Sequence, residues 1–114
     1  MDDASRKNLE ITENLRDGSI QFSLFECVNY AKTAMGSRLL KNWLVFPLTN
    51  INQIEERQNR IDVFVNNRQL LANVASDLSN ILDVERLSGR IAMSKAHAKD
   101  LQALKNSLLL WTKI

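Results

Sequence analysis

The scarcity of turn-forming residues constrains the fold of this chain more than any other feature. Its 114 residues include three glycines and one proline. β-Sandwiches and β-barrels need turn signals about every 8–12 residues, and this chain does not supply them. Apolar residues make up 45% of the chain and charged residues 25%, which is the composition of an ordinary folded domain. The sequence therefore predicts one all-α domain over residues 1–114, built from several helices.

Polar residues that accept hydrogen bonds from a first helical turn mark the predicted helix starts. These starts are Ser23 (with Glu26 at the capping-box spacing), Thr33, Asn50 (with Gln53 reaching back) and Asp83. Pro47 ends the helix that begins near Thr33, because proline keeps the residue before it out of helical geometry. Asn66 and Asn67 together predict a break between two further helices.

Apolar residues repeat at helical spacing and predict the buried face of each helix. In the helix after Thr33, this face consists of Met35, Leu39, Leu40, Trp43 and Leu44. In the last segment, three- and four-residue steps predict the seam of a long packed helix, formed by Leu101, Leu104, Leu108 and Trp111. Because no residue closes this helix before Ile114, we expect it to continue in a longer protein, the parent, from which the chain has been cut.

The first 21 residues are predicted to be irregular, with one short strand-like segment. Leu9 and Ile11 alternate there with polar residues, which is the period of a strand. Because a single strand needs partners, this segment either pairs with strands outside the chain or lies across the helices.

Residues for phosphate, metal or nucleophilic chemistry are missing or isolated. A phosphate-binding loop needs closely spaced glycines, whereas Gly18, Gly36 and Gly89 are far apart. His97 is the only histidine, and the only cysteine, Cys27, lies in an apolar run typical of a core residue. The sequence therefore predicts no catalytic, cofactor-binding or metal-binding residues in this chain.

The densest polar group consists of Asp83, Glu85, Arg86 and Arg90. On a helix, Arg86 and Arg90 lie on one face, with Asp83 at the cap beneath Arg86. Such a ladder is typical of a structural salt-bridge set or a docking surface. Six basic residues and two acidic ones follow Asp83, which we interpret as a solvated helix face, and the net charge of the chain is only +2. The longest uninterrupted apolar run is four residues, so no membrane contact is predicted and the expected location is the cytoplasm.

Three stretches stand in a fixed order along the chain. They are residues 1–11 (MDDASRKNLEI), residues 33–44 (TAMGSRLLKNWL) with Pro47, Leu48 and residues 54–58 (IEERQ), and residues 83–86 (DVER) with Arg90, Asp100 and Leu101. Together they resemble the core domain, domain III, of MutS-type DNA mismatch repair proteins. Three positions depart from the family: Ala34 and Ala98 stand where it often has proline, and Val84 replaces a usual leucine. The resemblance marks eight structural or coupling candidates: Gly36, Arg38, Trp43, Pro47, Arg57, Asp83, Arg86 and Arg90.

The resemblance implies a role that the residues alone do not. In MutS proteins this helical core joins the mismatch-reading and connector domains to a long lever, a DNA clamp and a C-terminal ABC-type ATPase domain. The nucleotide state at the ATPase and the DNA state at the clamp are coupled through it. It follows that ATP and magnesium are bound elsewhere in the parent, and that the last helix of this chain is the start of the lever. The implied partners are the connector, clamp and ATPase domains of the same chain, mismatched DNA through the parent, a second parent copy in a homodimer, and MutL.

Two alternatives stay open at this point. A paralogue of MutS that lacks mismatch recognition would share the same motifs. A free-standing helical interaction module would bind a protein partner through the surface around Leu109 and Leu110. A small DNA-binding domain is disfavoured, because it would need a basic cluster that this sequence lacks.

Overall fold

The computed structural model describes residues 2–112, and all regular secondary structure in this range is helical. The helices are α1 (Asp3–Asn8), α2 (Leu24–Val28), α3 (Ala34–Val45), α4 (Ile51–Asn66), α5 (Arg68–Ser79), α6 (Val84–Ala92) and α7 (Ala98–Trp111). The prediction of an all-α fold is confirmed. None of these helices is long and apolar enough to cross a membrane.

The described residues form two compact units. The first consists of residues 2–31 and 36–57, and it contains α1, α2 and most of α3. The second consists of residues 32–35 and 58–112, and it contains α5, α6 and α7. The chain enters the second unit first at residues 32–35 and then again within α4, after residue 57. The assignment of residues 1–114 to one domain stays a prediction.

Side-chain caps mark four helix starts, three of them at residues predicted as starts and the fourth at the predicted break. The cap oxygens accept backbone N–H groups three residues later, as follows: Ser23 from Glu26 at 3.2 Å, Asn50 from Gln53 at 3.3 Å, Asn67 from Leu70 at 3.0 Å and Asp83 from Arg86 at 3.2 Å. The capping box at Ser23 is only half formed, because the Glu26 carboxylate accepts the N–H of Phe22 (2.6 Å). The break predicted at Asn67 is confirmed.

Two of the residues that depart from the family motif each occupy the first position of a helix. Ala34 is the first residue of α3, and Ala98 is the first residue of α7. Proline is well tolerated at the first position of a helix, because its missing N–H would have had no partner inside the helix. Alanine at these positions therefore preserves the helix starts. Pro47 also acts as predicted, since α3 ends at Val45, two residues before it.

The strand predicted around Leu9 and Ile11 is wrong. Leu9 caps the end of α1, with its N–H bonded to the carbonyl of Ser5 (3.0 Å). The carbonyl of Ile11 accepts the N–H of Phe25 (2.9 Å), so it satisfies a donor in the first turn of α2. Ile11 and Phe25 are both buried, and the segment lies across the start of α2. Apolar and polar residues do alternate in this segment, but the backbone groups of Leu9 and Ile11 bond to the ends of helices and not to another strand.

A buried asparagine organises the loop between α1 and α2. Asn14 Oδ1 accepts the N–H groups two and three residues later (both 2.9 Å), and Nδ2 donates to the Gln21 carbonyl (2.9 Å) and Ser19 Oγ (3.0 Å). Gly18 has φ 71°, a left-handed conformation that suits glycine. The pKa of Asp17 is lowered because the backbone N–H and the hydroxyl of Ser19 hydrogen-bond to its carboxylate. The loop is therefore ordered by its own polar groups.

The predicted buried face of α3 is only partly covered. Leu40 and Leu44 are half-buried, as is Met35. Leu39 and Trp43 are exposed, with 41% of Trp43 accessible, so the prediction that this face is buried is wrong for these two residues. The 3.6-residue period identifies which face of a helix is apolar, but it does not identify whether another element covers that face.

The face of α7 that packs on α6 is displaced by one residue from the predicted seam. The residues directed at α6 and the segment before it are Asp100, Ala103 and Ser107. Of the four predicted seam residues, Leu104 is half-buried, whereas Leu101, Leu108 and Trp111 are exposed. A shift of one residue turns a helix by about 100°, so the predicted seam lies to one side of the contact. Lys113 and Ile114, where the helix was expected to continue, lie outside the described residues.

A buried serine joins α7 to the segment before α6. Ser107 is 1% exposed, and its Oγ accepts the N–H of Leu82 at 3.1 Å. Leu82, which donates this N–H, lies in the sequence between Ile81 and Leu87. These two are the buried apolar residues among residues 58–112. Ser107 therefore satisfies a backbone donor beside the core of the second unit.

Replacing Ser107 with alanine is expected to lower the free energy of unfolding by about 1–3 kcal/mol, because the Leu82 N–H loses its acceptor. Urea unfolding of the 114-residue chain, followed by circular dichroism, measures this loss. Ser88, an exposed serine on α6, provides the control, and Ser88→Ala should change stability by less than about 0.5 kcal/mol. An unchanged unfolding midpoint for Ser107→Ala would contradict the role given to the bond.

Candidate functional site

The structure divides the eight candidate residues between the two units. The first unit holds Gly36, Arg38, Trp43, Pro47 and Arg57, and the second holds Asp83, Arg86 and Arg90. The residues of the first set lie on α3, just after it and on α4, and those of the second set lie at the cap of α6 and along it.

In the first unit, Trp43 and Arg57 form a stacked pair. The guanidinium carbon of Arg57 lies 3.8 Å from the centroid of the Trp43 ring, well within the range of a cation–π interaction. The chain turns after Pro47, which lets the α4 side chain reach back to α3. The stack covers part of an indole that would otherwise be more exposed, so Trp43 serves as a partner for a cation rather than as a core residue.

The remaining candidates of the first unit lie along or just after α3. Gly36 is in the first turn of α3, and the neighbouring Ser37 accepts a hydrogen bond from the side-chain amide of Asn29 (2.9 Å). Arg38 is half-buried, and Pro47 is exposed. Because glycine has no side chain, the sequence predicts that a neighbouring backbone approaches closely at Gly36, and this stays a prediction.

In the second unit, Asp83 forms the cap predicted for α6. Besides accepting the Arg86 N–H, its carboxylate lies 3.5 Å from Arg86 Nε, as expected for residues three apart on a helix. The Arg86 side chain is 77% exposed, so this ion pair is well solvated. The ladder expected from Asp83 through Arg86 to Arg90 is only partly formed, because Arg90 pairs elsewhere.

Arg90 reaches across to α7, where sequence reasoning assigned no site residue. Its Nη2 donates to Asp100 Oδ1 at 2.5 Å, and Asp100 Oδ2 accepts the N–H of His97 at 3.0 Å. The Asp100 side chain is 13% exposed and that of Arg90 is 52% exposed. One carboxylate thus caps α7 and ties it to α6. The spacing from His97 to Asp100, which is that of a helix cap and its third residue, could have identified Asp100.

An open groove of about 710 Å³ lies between α6 and α7. Leu82, Leu87, Met93 and Ala103 contribute apolar surface, and the two arginines and their carboxylate partners line the rest. Within residues 2–112, no cluster of three His, Cys, Asp or Glu side chains is placed to hold a metal ion. The arrangement is suited to holding helices in position and to contacting another polypeptide.

The two arginines of α6 should differ in their contribution to stability. Arg90→Met removes the partner of a largely buried carboxylate and is expected to cost about 1 kcal/mol, at the upper end for a partly exposed ion pair. Arg86→Met makes the same change of residue type and should cost less than about 0.5 kcal/mol, because its ion pair is solvated. Thermal unfolding of the two variants side by side is the measurement. Equal losses would mean that the link to α7 adds nothing.

The Trp43–Arg57 stack should appear as a coupling energy in a double-mutant cycle. Trp43→Leu, Arg57→Met and the double variant are expected to give a coupling of about 0.5–1 kcal/mol in the free energy of unfolding. A second readout is Trp43 emission in a Trp111→Phe background, which should shift when Arg57 is replaced. Additive single-variant effects, within error, would rule out a stabilising stack.

Comparison with known proteins gives a consistent result. The family model described as MutS domain III matches residues 4–114. Three curated relatives, each named DNA mismatch repair protein MutS, match with high identity: those of Treponema denticola (53% over 108 residues), Treponema pallidum (48% over 108 residues) and Clostridium novyi (44% over 104 residues). These alignments cover 95%, 95% and 91% of this chain.

The same alignments cover only a small part of the relatives. The chain spans 12% of the Treponema proteins and 11% of the Clostridium novyi protein. The matched region is domain III and does not include the ATPase domain. The resemblance noted from residues 1–11, 33–58 and 83–101 is thereby confirmed, and this chain belongs to the MutS domain III family.

Proposed function

We propose that this chain is the helical core of a DNA mismatch repair protein of the MutS type. In that parent it would couple DNA binding to the ATPase domain and would have no turnover of its own. The observation that carries the proposal is the match of domain III to residues 4–114, in a chain that spans about an eighth of its relatives. That coverage also favours a domain of a longer protein over a free-standing interaction module.

Apolar side chains on the helix surfaces support a domain that has neighbours. Leu39 and Phe46 are exposed in the first unit, and Leu101, Leu108 and Trp111 are exposed in the second. Leaving a large apolar side chain uncovered forfeits about 1.5–3 kcal/mol of transfer free energy. In the proposed parent, other domains of the same chain would cover these surfaces.

The proposal assigns the chemistry to other parts of the parent. ATP and magnesium would be bound by the ATPase domain, and mismatched DNA by the mismatch-reading and clamp domains. A second parent copy, giving a homodimer, and MutL are the further partners proposed, with the cytoplasm as the location. The 114 residues would then contribute positioning and coupling, for which the Trp43–Arg57 and Arg90–Asp100 contacts between consecutive helices are suitable elements.

Coupling by such a domain is sensitive to small packing changes. Coupling free energies between sites are typically about 1–3 kcal/mol. Overpacking a well-packed contact costs about the same amount, typically about 1–3 kcal/mol. A single bulky substitution in a connecting helix can therefore abolish coupling without touching a nucleotide or a base.

Gly36→Val in the full-length parent is expected to preserve basal ATP hydrolysis and some mismatch binding. It should abolish ATP-triggered release of mismatched DNA and the acceleration of nucleotide exchange by that DNA. The physical reason is strain in the first turn of α3, where the sequence predicts a close approach. Mismatch dissociation, followed with and without ATP, measures the coupling, and a thermal melt excludes unfolding.

Gly89→Val provides a matched control. Gly89 also lies inside a helix, but a Cβ added there meets no atom within 4 Å, so this variant should release DNA normally. If a folded Gly36→Val protein also releases DNA on ATP at the normal rate, Gly36 has no part in the coupling.

A further inference from the structure

One face of α3 carries basic and apolar side chains at helix-contact spacing. Arg38, Lys41, Asn42 and Val45 are separated by steps of three, one and three residues, which places them on one side of the helix. Together with Phe46 they line an open hollow of about 270 Å³, here called the α3 hollow. Within the described residues, no other helix contributes to its lining. Within the described residues, the first unit therefore leaves the α3 hollow itself open.

Two basic side chains line the α3 hollow. Residues 27–54 include three basic residues and no acidic one, and two of the three, Arg38 and Lys41, line the hollow. The Lys41 ammonium lies 6.0 Å from the ring centroid of Phe25, and no carboxylate of residues 2–112 lies within ion-pair distance of it. Arg6 of α1, which is ion-paired with Asp3, lies nearby, with its Cζ 5.8 Å from the Phe46 ring.

Apolar surface lies beside these cations. Phe46 is 68% exposed, and Val45 is half-buried. A partner that supplied only negative charge to the basic side chains would leave Val45 and Phe46 exposed to water. The α3 hollow therefore fits a partner that brings an apolar side chain and carboxylates together.

The geometry of the hollow identifies the kind of element that fits. Residues i, i+3, i+4 and i+7 of a helix form the hole into which a facing helix inserts one side chain. Arg38, Lys41, Asn42 and Val45 have this spacing. At about 270 Å³ and open to solvent, the hollow is smaller than the enclosed pockets of about 300–1,000 Å³ that hold small molecules. It is suited to one side chain of a second helix.

We propose that the α3 hollow receives an apolar side chain from an acidic helix of the parent that lies outside these 114 residues, with a carboxylate of that helix paired to Lys41. This rests on the proposed function, because it requires a longer parent chain. The relatives, of which the chain covers only 12%, leave ample length for such a helix. A phosphate backbone would satisfy Lys41 but would leave Val45 and Phe46 uncovered, so a helix is favoured over nucleic acid.

Zero-length carbodiimide cross-linking of the full-length parent tests this proposal, because it joins a lysine only to a carboxylate in direct contact. Mapped by mass spectrometry without DNA, Lys41 should be cross-linked within one molecule to an Asp or Glu outside the 114 residues. Lys7, exposed on α1 of the same unit, is the control and should give no such defined product.

Three results would overturn the proposal. They are a Lys41 as reactive toward an acylating reagent as Lys7, a cross-link found only between two molecules, and protection of Lys41 that appears only when DNA is added. The last result would assign the hollow to phosphate. None of these results depends on ATP-triggered release of DNA. The cross-link can therefore be found even if the coupling function is disproved, and the coupling function can be confirmed even if the cross-link is missing.

Charge variants of the full-length parent give an independent measurement. Lys41→Arg should abolish the cross-link and leave the melting temperature unchanged, because the positive charge is retained. Lys41→Glu should lower the melting temperature more than Lys7→Glu does. Converting the cross-linked carboxylate to lysine in the Lys41→Glu background should restore the melting temperature. Equal effects of Lys41→Glu and Lys7→Glu, or no restoration, would exclude the ion pair.

Discussion

The first turn of an α-helix leaves backbone N–H groups without partners inside the helix, and this chain supplies side-chain acceptors for them. Ser23, Asn50, Asn67 and Asp83 each accept an N–H three residues later. Asp100 accepts the N–H of His97, three residues before it. With so few glycines and prolines to form turns, these caps mark where the helices that follow them start.

The same polar groups also hold consecutive helices together. Asp100 caps α7 with one carboxylate oxygen and binds Arg90 of α6 with the other. Ser107, two turns further along, accepts a backbone N–H from the segment before α6. Because these directional bonds fix which side of α7 faces α6, the apolar residues of the neighbouring side, Leu101 and Leu108 among them, are left exposed. The unit is ordered by polar contacts and keeps apolar surface for other partners.

Order that comes from polar contacts, together with exposed apolar side chains, is compatible with a domain of a longer protein. A free-standing domain gains stability by covering its large apolar side chains, whereas Leu39, Phe46 and Trp111 remain exposed here. The membership in the MutS domain III family and the small share of the relatives that the chain spans agree with that setting.

The sequence by itself determined the helical class, most helix starts and the family. These depend on contacts within about four residues, such as Asp83 with Arg86, and on motifs that can be read in order. The tertiary structure decided which faces are covered and which charges meet. Arg90 and Asp100 are ten residues apart on different helices, and their pairing depends on how α6 and α7 pack. The tertiary structure also decided the exposure of Trp43. The spacing of apolar residues identifies the apolar face of a helix, but it does not identify which element, if any, covers that face.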